Sequence, residues 1–155
     1  MPLGETIEQL GGMPAYVEGA IAAAPPDKLR HKPSPDEFSL LEQACHLRDL
    51  EREGYLVRVR RMLSEPEPAL EPFDGAAVAR DRNYPEQDAR LAAQDFTSAR
   101  RELTGLLAPL TEADLERRGT FDGQPLTFRD LIAMILEHDR GHRQEIERLL
   151  ARRED

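Results

Sequence analysis

Apolar residues recur at three- and four-residue intervals along most of this chain, and no stretch alternates apolar and polar positions over a convincing length. Such periodicity predicts amphipathic helices and argues against strands. A first helix is expected over Thr6 to Ala23, although Gly11, Gly12 and Pro14 interrupt the pattern and can move its start to Met13. Pro25 and Pro26 end it. The run Ser34-Pro35-Asp36-Glu37 carries the marks of a helix start, with a capping serine, proline at the first helical position and a glutamate completing a capping box. A second helix is therefore expected from there to about Ser64.

Pro66, Pro68, Pro72 and Gly75 then make a connection longer than a tight hairpin needs. Asn83-Tyr84-Pro85-Glu86 is expected to open a third helix to about Leu110, followed by a short helical turn from Thr111 and a loop over Gly119 to Gln124. Thr127 with Asp130 caps a fourth helix to about Leu150. Four main helices with one long crossover predict an all-α four-helix bundle, a single domain over residues 1–155.

Of the 155 residues, 33% are charged, so the outer faces must be heavily solvated. The formal net charge of -9 repels phosphate backbones and anionic lipid surfaces, which argues against a nucleic-acid partner. No apolar run reaches the roughly 20 residues of a membrane span, and the first residues lack a signal-peptide pattern; no membrane association and a cytoplasmic location are expected. One cysteine, Cys45, excludes an internal disulfide and falls within an apolar helical pattern that predicts a buried thiol.

The chemistry concentrates in histidines. On the fourth helix Leu131, Met134, Ile135, His138, His142, Ile146 and Leu149 share one face, which puts two imidazoles inside an apolar stripe. Buried imidazoles need partners for their nitrogens, and positions i and i+4 allow both rings to reach one cation. A hydrogen-bonded or water-linked pair of core histidines satisfies the same spacing. The glutamate of a His-Glu-x-x-His metalloprotease is missing, since Asp139 follows His138. His46 lies mid-way along the second helix with Glu42 and Asp49 nearby, either as a half-buried histidine paired to one of them or as a third ligand facing the fourth helix. Glu145 shares the interior stripe, where it can orient a ligating histidine, ligate directly or pair with an arginine. His31, in a proline-bounded loop, is expected to face solvent.

Phe38-Ser39 followed by Glu42 and His46-Leu47, then Phe96 and Ala99-Arg100, then Leu126-Thr127, Leu131 and His138-Asp139-x-x-His142-x-x-Glu145-Ile146, together resemble the DinB-like superfamily over about Thr6 to Leu150. The resemblance implies a four-helix bundle, often dimeric, with a divalent metal on one histidine of the second helix and two of the fourth, here His46, His138 and His142. Glu145 and Asp49 are then candidate supports around that centre, and Arg100 and Asp122-Gly123-Gln124 candidate pocket elements. Phe38 stands where the family often has tryptophan.

Three neutral histidines leave coordination positions open on an ion such as zinc, nickel or iron. By resemblance, the expected function is activation of a low-molecular-weight thiol for S-transfer, as in relatives that use bacillithiol or mycothiol. A metal-dependent hydrolase, with Glu145, Asp139 or Asp49 moving a proton, and a non-enzymatic metal-binding stress-response protein are the alternatives.

Overall fold

The computed structural model describes residues 1–151. Helix α1, Leu3–Ala23, buries Thr6, Leu10, Met13, Pro14, Val17, Ala20 and Ile21, one face at helical spacing. It runs unbroken through Gly11, Gly12 and Pro14, so the expected interruption and later start at Met13 are corrected. The glycines face solvent. Pro14 has no N–H for the Leu10 carbonyl one turn earlier, and that carbonyl accepts instead from Arg100 Nη1 at 2.9 Å. A short helix α2, Pro26–Arg30, follows.

The second long helix is built in three pieces: α3, Leu40–Asp49, a π-helical turn over Leu50–Tyr55, and α4, Leu56–Ser64. Its cap is Ser39, in a reciprocal box with Glu42, rather than the expected Ser34. Both serines precede a glutamate by three residues, but only Ser39 stands at the edge of the core, where Leu40 and Leu41 are each 2% exposed. Pro35, Asp36 and Glu37 face solvent in a turn. The helix ends at Ser64, as its pattern predicts.

The crossover contains strand β1, Ala69–Leu70, and helix α5, Gly75–Asp81, capped by Asp74. Asn83 adopts a left-handed backbone with φ 51, and Tyr84–Glu86 form a single 3-10 turn that tucks Tyr84 wholly inside. Helix α6, Ala89–Leu107, therefore starts at an Asp88 cap, later than the expected Asn83. A Thr111–Asp114 capping box opens α7, Glu112–Leu115.

The expected loop over Gly119 to Gln124 is instead a hairpin of β2, Arg118–Phe121, and β3, Gln124–Thr127. Asp122 and Gly123 turn it with φ 51 and 80, the two left-handed positions of a type I′ turn, for which Asp-Gly is a strong signal. With β1 parallel to β2, the three strands form a small sheet beside the helices. Helix α8, Phe128–Ala151, starts at the expected Thr127–Asp130 pair. No helix among the described residues is long and apolar enough to cross a membrane.

Helices α1, α3–α4, α6 and α8 form the bundle. Its interior divides into two apolar clusters, one around Leu10, Leu50, Val59, Leu103 and Ile135, the other around Met13, Leu41, Cys45, Phe96 and Ile146. A polar layer lies between them. Arg100 of α6, 1% exposed, donates to both oxygens of Glu51 at 2.8 Å, to both oxygens of Asp139 at 2.6 and 3.0 Å, and to Leu10. All five N–H donors of this guanidinium are used, which a buried cation requires.

Candidate metal centre

The histidines stand at the level of that polar layer. His46, on α3, is 8% exposed, and its ring centroid lies 4.9 Å from that of His142 and 5.2 Å from that of Phe38. Its Nδ1 is buried without a hydrogen-bond partner among the described residues. Gly75 makes room for it: a Cβ there would stand 2.7 Å from His46 Cε1 and 2.9 Å from Nδ1. Burial, and then the neighbouring His142, push the His46 pKa down to about 4, so the ring is neutral and has a lone pair to give.

His138 and His142 are one turn apart on α8, but the expectation that both sit in the middle of the apolar stripe is corrected. Asp139 holds the buried position because it pairs with Arg100. Adjacent residues on a helix point about 100° apart, which turns His138 to the exposed edge. His142 is half-buried. Burial, then His142 and Arg58, lower the His138 pKa.

Each of these two rings has its Nδ1 held by a side chain. Tyr55 Oη lies 2.6 Å from His138 Nδ1, and Gln43 Oε1 lies 3.1 Å from His142 Nδ1. Gln43 in turn donates from Nε2 to Glu145 at 2.5 Å, which orients the amide so that its oxygen accepts His142 Nδ1–H. That tautomer leaves His142 Nε2 with a free lone pair. The approach of His142 Nδ1 at 3.4 Å, and then the Gln43 amide, hold the Glu145 carboxyl down at about 2. Tyr55, 2% exposed, is kept a protonated phenol by burial.

The donor set fits a divalent ion chemically: three imidazoles, one with an unmet buried nitrogen and two with their outer nitrogens held by supporting side chains. As placed, among the described residues no group of three His, Cys, Asp or Glu side chains is arranged to hold a metal ion. His46 and His142 face each other, with His138 beside them on Tyr55.

The remaining expected residues divide. Glu145 reaches His142 through Gln43 and directly at 3.4 Å. Asp49 does not support His46; it is engaged by Arg48 at 2.9 Å, Tyr84 Oη at 2.6 Å and Arg82 at 3.2 Å. Asp139 is committed to Arg100 and so is not free to move a proton. Arg100, buried inside the bundle, borders a cavity of about 120 Å³ between α1 and α6 rather than the histidines' surroundings, and Asp122-Gly123-Gln124 form the hairpin tip. His31 faces solvent. Cys45 is fully buried, and burial pushes its thiol up to about 11, which keeps it unreactive.

Gln43 and Tyr55 do not stand out in the sequence. Gln43 is three residues before His46, a spacing that shares a helix face. Tyr55 has no such signal: nine residues after His46, it falls about 180° away on a regular α-helix. The π turn adds about one residue to the turn and shifts that phase.

The family model of the DinB superfamily matches residues 9–146. The chain belongs to the DinB superfamily. YuaE of Bacillus subtilis (strain 168) is 30% identical over a 140-residue alignment covering 79% of this chain and 83% of YuaE. Among solved structures, YfiT of Bacillus subtilis superposes with a TM-score of 0.86 at 20% identity, over 95% of this chain and 85% of YfiT. YfiT is described as a probable metal-dependent hydrolase with an unusual four-helix bundle topology. A second DinB-like protein of Bacillus subtilis, YjoA, gives a TM-score of 0.58 at 15% identity, over 94% of this chain and 90% of YjoA. These likenesses establish the DinB-like four-helix fold. Beside His142, a cleft of about 450 Å³ opens between Phe38, Gln43, Ala76, Glu145 and Arg148.

Proposed function

We propose that this chain is a divalent-metal-dependent hydrolase of small molecules, with His46, His138 and His142 as the metal ligands and the cleft beside His142 as the substrate site. The observation that carries the reading is the arrangement around the imidazoles: a neutral, buried His46 whose ring stands 4.9 Å, centroid to centroid, from that of His142, whose Nδ1 is held by Gln43. Polar networks of this kind are costly in a core unless something satisfies them. The description of YfiT supports the same class of chemistry.

Bound to these ligands, zinc, nickel or iron would lower the pKa of a water or thiol and so supply the nucleophile. The chain's own residues do the rest. Gln43 fixes the His142 tautomer, Tyr55 fixes the His138 ring, and Glu145, ionised and half open to the cleft, holds the Gln43 amide in the orientation that sets that tautomer. A small thiol in place of water, giving S-transfer, is the second reading. The cleft of about 450 Å³ has room for a small thiol beside a substrate.

Elemental analysis of gently purified protein, alongside His46→Ala, His138→Ala and His142→Ala, tests the centre. Near-stoichiometric metal in the parent, lost in each variant with helical content retained, is expected. Metal retained in all three variants refutes the ligand assignment. No metal after reconstitution with zinc, nickel, iron and manganese refutes the enzyme reading. Product analysis with and without added thiol then separates hydrolysis from S-transfer.

A further inference from the structure

Arg58 differs from the other buried arginines. It is 5% exposed, comparable to Arg48 and Arg100 at 9% and 1%, but those two hold Asp49, and Glu51 with Asp139. Among the described residues Arg58 has no carboxylate partner; its one hydrogen bond runs from Nε to the Glu71 carbonyl at 3.3 Å. Among those residues neither terminal nitrogen has a protein partner, and neither is sealed in the core, so their four N–H donors stand open to the cavity beside them. The guanidinium carbon lies 4.8 Å from the Phe121 ring centroid and 5.7 Å from that of Tyr55, so two aromatic rings hold the group in place.

This cation borders a cavity of about 150 Å³, lined also by Gly54, Leu70, Glu71 and Phe73. The guanidinium has no counter-charge in the protein and turns its free donors to the cavity, and such a fork fits a carboxylate or phosphate at two points. We propose that Arg58 is the receptor for an oxyanion, the carboxylate or phosphate group of a small ligand, seated in this cavity. This cavity shares no lining residue with the cleft beside His142, so the anion site is separate from the substrate site proposed above.

The cavity lies across Tyr55 and Phe73 from the histidines. Tyr55 turns its ring toward Arg58 and its hydroxyl to His138, while Phe73, a wall of the cavity, lies 6.3 Å from the His46 ring. The cavity accommodates one anionic group rather than a whole substrate. Glu53, another lining residue, is taken by Arg82, and Arg61 by Glu65. Arg58 is the buried, unpaired cation of the cavity.

The test is titration of EDTA-treated protein with inorganic phosphate and, separately, with acetate at constant ionic strength, followed by the Arg58 Nε–Hε resonance and by calorimetry. One saturable equivalent is expected, weakened at least tenfold in Arg58→Met and less than twofold in Arg61→Met. The tighter of the two anions assigns the ligand as phosphate or carboxylate. Arg58→Lys, which keeps the charge but not the fork, should bind between these limits, and it serves if the methionine variant does not fold. Absence of saturation by either anion overturns the proposal. So does equal weakening by Arg61→Met, which marks diffuse surface charge, or anion binding that appears only in Glu71→Gln, which makes Glu71 the partner of Arg58. Because the titration uses metal-free protein, its failure is separate from a failure of the metal assignment.

Discussion

Replacing Gly75 by alanine probes the packing around His46 directly. The added Cβ would stand 2.7 Å from His46 Cε1, against 3.4 Å or more for ordinary contact, so the ring must retreat by about 0.7 Å. It has little room, since Phe38, Phe73 and His142 flank it. Overpacking of this kind costs about 1–3 kcal/mol, partly offset by up to about 1 kcal/mol from the better helix propensity of alanine. Gly75 does not lie in the left-handed region, so alanine adds no backbone strain. For a domain of this size a net loss of about 1–2 kcal/mol corresponds to a fall in Tm of roughly 2–8 °C. Urea denaturation of metal-free protein reads the stability, and competition with a chromophoric chelator reads metal uptake, which should weaken at least tenfold. The control is a double-mutant cycle: in His46→Ala the obstacle is gone, so Gly75→Ala should then be neutral or stabilising. An unchanged Tm together with unchanged metal uptake in Gly75→Ala would refute both the tight approach and the role of His46.

Two further outcomes follow from buried charge. Arg100→Leu strands Glu51, Asp139 and the Leu10 carbonyl and should cost about 3–5 kcal/mol in urea denaturation, most of it recovered when Glu51 and Asp139 are also made leucine. In metal-free protein His46 titrates at about 4 when folded and about 6.5 when unfolded, so the unfolded chain takes up more protons and stability falls as pH drops through that window, by roughly 3 kcal/mol in all. Denaturation midpoints between pH 7 and 4 should flatten in His46→Ala. Glu145, held at about 2, gives up its contribution only as pH falls below the ordinary carboxylate range, a lower window.

Much of the bundle was legible because helical periodicity and capping pairs are local. Thr111–Asp114 and Thr127–Asp130 cap where the sequence places them, and Ser64 ends the second helix. The misplaced starts share one physical cause. Ser34 and Asn83 carry good local start signals, but the choice between competing signals is made by the core edge, which a local pattern does not contain. The sheet was missed for a different reason, since its strands are only two to four residues long and the Asp122-Gly123 signal lies in a polar stretch. At the centre, the histidines were visible by type and spacing. Gln43 and Tyr55 were not, because their role depends on which rings the packing brings opposite them.

Pro14 shows how the parts connect. In the sequence it reads as a flaw in the first helix; in the bundle its missing N–H frees the Leu10 carbonyl for Arg100. The same guanidinium holds Glu51, four residues before Tyr55 in the π turn, and Asp139, next to His138 on α8. Tyr55 and His138, joined at 2.6 Å, therefore belong to elements fixed by one buried cation. Side chains positioned by a satisfied network on rigid helices hold their geometry better than side chains on loops. The charge layer thus weakens the apolar core at its middle but sets α1, the π turn, α6 and α8 in one register. If that is its role, the Arg100, Glu51 and Asp139 leucine triple variant should regain stability without regaining metal affinity. Full recovery of both would show that the layer adds nothing to the histidine geometry beyond holding the helices together.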